Sequence, residues 1–185
     1  MPLIALLCTA KVPPATLSSN LTRAYEASKA INSPPNLVLL TSSNTDELRG
    51  YTPDSITIPP IDGHTEYPFL GWTITQLASF LDRIKAITVL ESSTFLVADQ
   101  QTVSDGDTIL LVHNIHVQES LNSVRVSAEY ANSEAVAVSV ASKDVVEWRS
   151  LVDGDGVYRG GRTSRGDGGK EVKKGRRAPR KKLGS

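Results

Sequence analysis

Four residues have the types and positions from which a small binding site could be assembled: Asp99, Arg159, His64 and Trp72. Asp99 closes the apolar run Phe95-Leu96-Val97-Ala98, and in α/β folds ligands bind in crevices outside strand ends. It is the best single polar candidate; its structural alternative is a carboxylate that accepts backbone donors in the next turn. Arg159 stands between Tyr158 and Gly160. Its guanidinium either pairs with a body carboxylate, Asp99 or Asp153, or recognises an anion. His64 lies in the loop 62–71 with Tyr67, Pro68 and Phe69, and Trp72 follows that loop. The aromatic residues Trp72, Tyr67 and Phe69 serve equally as packing for the loop and the helix beyond it.

Other polar groupings lack the spacing that chemistry requires. His113 and His116 are three apart in a strand-like stretch, so period two sends them to opposite faces and they cannot chelate one metal together. Asp153 and Asp155 miss the third ligand, the Gly and the distal Glu of an EF-hand loop, which leaves helix termination as their role. Asp105 and Asp107 read as turn residues. No nucleophile elbow of the form G-x-S-x-G occurs, and the glycines at 160–169 neither fit a Walker pattern nor follow a strand. Cys8, the only cysteine, excludes an intramolecular disulfide and a cysteine-based zinc site. It falls within the apolar run Leu3–Cys8 and reads as a small buried residue of a reducing compartment. No metal site and no cofactor follow from the sequence.

Charge is distributed unevenly. The formal net charge is zero over 185 residues, yet residues 1–158 hold 9 Lys and Arg against 18 Asp and Glu, a net −9, whereas residues 159–185 hold 11 against 2, a net +9. Lys173, Lys174, Arg176, Arg177, Arg180, Lys181 and Lys182 supply most of the positive end. Large apolar residues almost vanish after Tyr158, so the segment cannot offset its ordering entropy, and a disordered basic tail over 159–185 is expected beside a domain over 1–158. The tail would draw phosphates through counterion release. It has no aromatic residue to stack on bases, so its contacts would be sequence-independent.

The elements that must position these residues are readable from apolar spacing. Leu3–Thr9 is a short buried strand rather than a signal peptide, because no Lys or Arg precedes it and Pro13-Pro14 closes it. Thr16–Ile31 is an amphipathic helix ended by Asn32-Ser33-Pro34-Pro35. Leu37–Thr41 is a second buried strand, Ser42–Gly50 a short helix or turn, and Ser55–Ile61 an edge strand or extended loop carrying Pro59-Pro60. Thr73 starts the clearest helix, with Ile74, Leu77, Ala78, Leu81 and Ile84 on one face. Thr94–Thr102 and Thr108–His116 form an antiparallel hairpin about Asp105-Gly106-Asp107. Ser123–Tyr130 is a half-buried strand that pairs with Ala135–Val140 across Asn132-Ser133. Lys143–Val152 is a helix with Val145, Val146, Trp148 and Leu151 inward. No run reaches the roughly 18 apolar residues that span a membrane. The expected fold is α+β: one compact domain with a mixed, largely antiparallel sheet flanked by about three helices, plus the tail.

Three stretches resemble a family called domain of unknown function 6924, a small microbial domain. Phe95-Leu96-Val97-Ala98-Asp99-Gln100-Gln101-Thr102, with Leu110-Leu111-Val112 after it, is similar to the family's Val-Ala-Asp-x-x-Thr strand and the Leu-Leu-Val that follows. Val124-Arg125-Val126 is similar to its Phe-Arg-Val. Val152–Gly160 is similar to its closing Asp-Gly-Val-Phe-Arg-Gly. The likeness spans residues 70–160 and is looser over the first 60. Ala135–Val140 departs from the Asn-Leu-Ser and Asn-Met pair usual there, and the basic tail lies outside the shared domain. The resemblance implies a small mixed α/β domain and brings no activity with it.

Two functional expectations result. One is a non-catalytic binding or interaction module, intracellular (cytoplasmic or nuclear). Its body engages a protein or small-molecule partner, and its tail serves localisation or non-specific nucleic-acid contact, without a membrane. The alternative is an accessory enzyme of small-molecule metabolism with a pocket near Asp99 and Arg159 that includes His64 and Trp72.

Overall fold

The computed structural model describes residues 3–114, 121–140, 142 and 145–160. The seven basic residues named above in the tail, and His116, lie outside the described residues.

Strand β1 (Leu3–Cys8) is buried along its whole length. Its period of two sends Ile4, Leu6 and Cys8 to one face and Leu3, Ala5 and Leu7 to the other. A strand covered on both faces has no place for a polar side chain, which accounts for the unbroken apolar run. Helix α1 (Pro14–Ala30) begins with proline where a missing N–H removes no helix bond. Leu17, Leu21, Ala24 and Ser28 form its buried stripe.

Strand β2 (Leu37–Leu39) lies parallel to β1. Its outer edge is met by Thr57, whose N–H donates to the Leu37 carbonyl at 3.0 Å and whose Oγ1 accepts from the Leu39 N–H at 2.8 Å. Ser55–Ile61 is therefore the extended loop of the two expected forms. It shields an edge strand from further pairing, and its Pro59–Pro60 bond is cis. Helix α2 (Thr45–Arg49) is capped by Asn44. Helix α3 (Ile74–Ile84) carries a full capping box between Thr73 and Gln76, and it buries Leu77, Ala78, Phe80, Leu81 and Ile84.

Strand β3 (Leu90–Ala98) is parallel to β1 and antiparallel to β4 (Thr108–Asn114). The expected pairing of these two runs is present, but the strand stops at Ala98 rather than Thr102. Asp99 and Thr102 close a second capping box and start helix α4 (Gln100–Asp105), which ends at Gly106 in the left-handed region (φ 67°). The connection is thus one helical turn and more, not a tight turn.

Strand β5 (Leu121–Ser127) pairs antiparallel with β4. Residues 128–139, expected to continue that strand and return as another, form helix α5 (Ala128–Ser139). Ala128, Ala131, Asn132, Ala135 and Val138 are buried at spacings of three and four, and small alanines suit close packing against α1. The alternation of Ala and Val over 135–140 had suggested a strand; burial follows the helical period instead. The short helix α6 (Val145–Arg149) buries Val145 and Trp148, whereas Val146 and Leu151, expected inward, are exposed. Strand β6 (Val157–Tyr158) adds parallel to β5.

The sheet order is β2-β1-β3-β4-β5-β6, antiparallel through β3–β4–β5 and parallel on both flanks. Helices α1, α5 and α6 cover one face, and α3 with Leu48 of α2 covers the other. The protein is an α+β domain with a six-stranded mixed sheet, three longer helices and three short ones among the described residues.

Candidate functional site

Arg125 determines what Asp99 can do. Val124 and Val126 of β5 belong to the core under α5, so period two turns Arg125 to the opposite face. There its guanidinium reaches across β4 to α4. Nη1 donates to Asp99 Oδ1 at 3.0 Å, and Nη2 pairs with Oδ2, a bidentate arrangement. The same carboxylate accepts from the Gln101 and Thr102 amides, each at 3.1 Å. The Arg125 side chain is only 10% exposed. Burial pushes the Asp99 carboxyl up, but the bonds from Arg125 and the Thr102 amide outweigh it, so its pKa lies below the ordinary carboxylate value. Asp99 is an ionised helix cap whose oxygens are already taken.

Arg159 pairs with carboxylates other than Asp99. It donates to Asp155 through Nη1 at 3.0 Å and Nη2 at 2.8 Å, and to Asp153 at 2.8 Å. Of the two carboxylates weighed from the sequence, Asp153 is the one engaged. The hydrogen bonds from Arg159 and the Val157 amide hold the Asp155 carboxyl at a pKa of about 2. Arg159 thus clamps the Asp153–Gly156 turn, in which the Gly156 N–H donates to the Asp153 carbonyl at 2.9 Å. Tyr158, between them in β6, stacks on Trp148 with ring centroids 5.3 Å apart. Gly160 follows at φ 79°, and a Cβ there would stand 2.5 Å from the Tyr130 ring. Each residue of Val157-Tyr158-Arg159-Gly160 therefore has a packing role of its own.

Trp72 sits elsewhere. Its ring meets Phe69 and Phe80 nearly edge-on, at 5.3 and 5.9 Å. With Thr75, Gln76, Ser79, Phe80 and Arg83 it lines a shallow concavity of about 250 Å³ on the outer side of α3. None of the other three nominated residues lines it. His64 lies in an exposed turn where its N–H donates to Asp62 Oδ1 at 3.0 Å. No hydrogen bond, ion pair or ring contact joins any two of His64, Trp72, Asp99 and Arg159 among the described residues.

Several polar residues have structural partners. Asp105, the last residue of α4, accepts from the Asp107 and Thr108 amides at 3.0 and 3.1 Å and so ties the helix end to the start of β4. Asp107 does more. Its carbonyl accepts the first amide of α5, Ala128 N–H, at 2.8 Å, and its carboxylate pairs with Arg23 of α1. His113 Nδ1 lies 2.9 Å from Thr94 Oγ1. Among the described residues no three His, Cys, Asp or Glu side chains stand together as a metal site, and no helix is long and apolar enough to cross a membrane.

Sequence reasoning missed one concavity. Tyr25, Glu26 and Lys29 of α1, with Asn32 and the Ser33-Pro34-Pro35 loop, enclose about 440 Å³. Its loop wall is fixed from behind by buried Asn132. That amide donates to Ser28 Oγ at 2.9 Å and the Pro34 carbonyl at 3.0 Å, and accepts from the Asn36 N–H at 3.0 Å. The sequence marks this loop as a helix stop; the hydrogen bonds that hold it come from Asn132, nearly a hundred residues later, and from the end of α1.

Against this geometry, the sequence model of the family described as Domain of unknown function (DUF6924) matches residues 45–161, more than half of the chain. The chain belongs to this family. The match to DUF6924 begins at α2 and closes just after Gly160. It contains the Asp99–Arg125 pair, the Arg159 clamp and the Trp72 shelf. It therefore reaches further toward the N-terminus than the likeness over 70–160. The DUF6924 match excludes β1, α1 and β2, although β1 lies inside the sheet between β2 and β3. No match was found among curated proteins, and none among solved structures.

Proposed function

We propose that this protein is a non-catalytic interaction module whose basic segment contacts polyanions, for localisation or for sequence-independent nucleic-acid binding. The observation that carries the reading is the charge segregation: a net −9 over residues 1–158 against +9 over 159–185. An anionic body repels phosphate, so attraction must come from the Lys- and Arg-rich end, with a strong dependence on salt. The state of the body's cations supports this division. Arg23 and Arg125 each pair with an aspartate of the body, as does Arg159, the first residue of the basic segment, so these three neutralise internal charge rather than face a polyanion. The carboxylates nominated for chemistry are likewise occupied by caps and ion pairs.

Deletion of residues 161–185 tests the reading, because it leaves Gly160 and its seat on Tyr130 in place. The full chain is expected to be retained on immobilised single-stranded DNA at low salt and released as salt rises. The truncated chain should pass through, and any nuclear enrichment of the tagged protein in cells should vanish with the same deletion. Equal retention of both forms would remove the basis of the proposal.

A further inference from the structure

The shelf beside Trp72 has a composition that the basic segment lacks. Trp72 is anchored from both sides. The Gly71 N–H donates to the Thr9 carbonyl at the end of β1, the Trp72 N–H donates to the Phe69 carbonyl, both at 3.0 Å, and Thr73 next to it opens the capping box of α3. The indole is held against Phe69 and Phe80 and still remains partly exposed. Along the solvent side of α3, Thr75, Gln76, Ser79 and Arg83 follow at helical spacing. They add hydroxyl and amide groups beside the indole, behind which Phe69 and Phe80 are buried.

Arg83 closes the shelf. Its guanidinium carbon stands 5.7 Å from the centroid of the Phe80 ring, a cation–π distance. Unlike Arg23, Arg125 and Arg159, it has no carboxylate partner among the described residues. A partly exposed indole, neutral hydrogen-bonding groups and an unneutralised guanidinium match a flat ring that carries an anion. At about 250 Å³ the hollow is below the roughly 300 Å³ at which drug-sized ligand pockets begin, so it takes one ring system rather than an extended molecule.

We propose that the shelf stacks an unpaired nucleobase of a single-stranded nucleic acid on Trp72, with Phe80 buried behind the indole as its support and Arg83 meeting the adjacent phosphate. The inference rests on the polyanion reading above and adds to it. The basic segment supplies attraction without base stacking, since no aromatic residue follows Tyr158, and the shelf supplies a stacking surface. Together they favour single strands, whose bases are free to splay, over duplexes, whose bases are already stacked.

Tryptophan emission of the full-length protein reads this directly. The chain has two tryptophans, and Trp148 is 2% exposed beneath Tyr158, so quenching by an added oligonucleotide reports on Trp72. Titration with labelled oligothymidylate at fixed low salt should quench emission saturably in parallel with a rise in anisotropy. Trp72→Leu should weaken single-strand binding about tenfold, as loss of one base–aromatic stack does, and leave duplex binding unchanged. Arg83→Gln, at an exposed position, should weaken it about threefold with the native melting temperature preserved. If wild type and both variants bind single strands equally and emission does not change, the shelf is excluded while the polyanion reading stands. If no form binds any oligonucleotide at low salt, both fall.

Discussion

Asp99 and Arg125 show how a residue that looks catalytic can be a fastener. The carboxylate caps α4 through two amides and is gripped by a guanidinium that is itself almost buried. Arg125→Met leaves Asp99 with the cap alone, whereas Asp99→Ala removes the cap and strands a buried positive charge. Loss of a helix cap costs about 1 kcal/mol and breaking a buried pair about 3–5 kcal/mol. Because Asp99 keeps a quarter of its side chain in water, we expect about 2–3 kcal/mol for Asp99→Ala by chemical denaturation. The sign with pH is fixed by the lowered pKa. The carboxylate is more acidic folded than unfolded, so its contribution is full at neutral pH and is lost as pH falls through and below the usual carboxylate range. Wild type and Asp99→Asn should therefore converge in stability on acidification. The cap was legible in the sequence, since Asp-x-x-Thr after a strand offers a side-chain carboxylate to the backbone N–H groups of the next turn. The partner was not, because Arg125 is 26 residues away and reaches Asp99 only through strand pairing.

At the scale of elements, residue pattern and structure part most at Ala128, where α5 stands in place of a strand, and the cause is physical. Alternating Ala and Val carry a period of two in residue type, whereas Ala128, Ala131, Ala135 and Val138 carry the helical period in burial. Small side chains satisfy either pattern until a neighbour decides, and here the neighbour is α1. Asn132 fixes the outcome, because its amide serves α1, the Pro34 carbonyl and the Asn36 N–H at once. Asn132→Leu keeps the branched shape but leaves the Asn36 N–H and the Pro34 carbonyl without this partner. The expected loss is about 2 kcal/mol in a thermal or denaturant melt. Loosening of the 33–36 loop should accompany it, seen as faster amide exchange at Asn36. Helices α1 and α3 were legible because their stripes contain large residues. The end of β3 was not, because an apolar run continues visually into a residue that caps the next element.

Across the whole molecule, the burial of β1 and β2 on both faces was readable as continuous apolar runs, and so was the mixed α+β architecture. The order of strands was not, since no local signal tells β3 to insert between β1 and β4 or β6 to lie parallel to β5. That order has a consequence for Cys8, which stands at the end of a strand with neighbours on both edges and is 1% exposed. Burial pushes its thiol up to a pKa of about 12, so neither access nor thiolate is available in the native fold. The protein thus contains a silent chronometer. A thiol-directed reagent should modify native protein only at the rate at which the central sheet opens, and at once in denaturant. Rapid labelling of the native state would mean that β1 separates from the sheet without global unfolding.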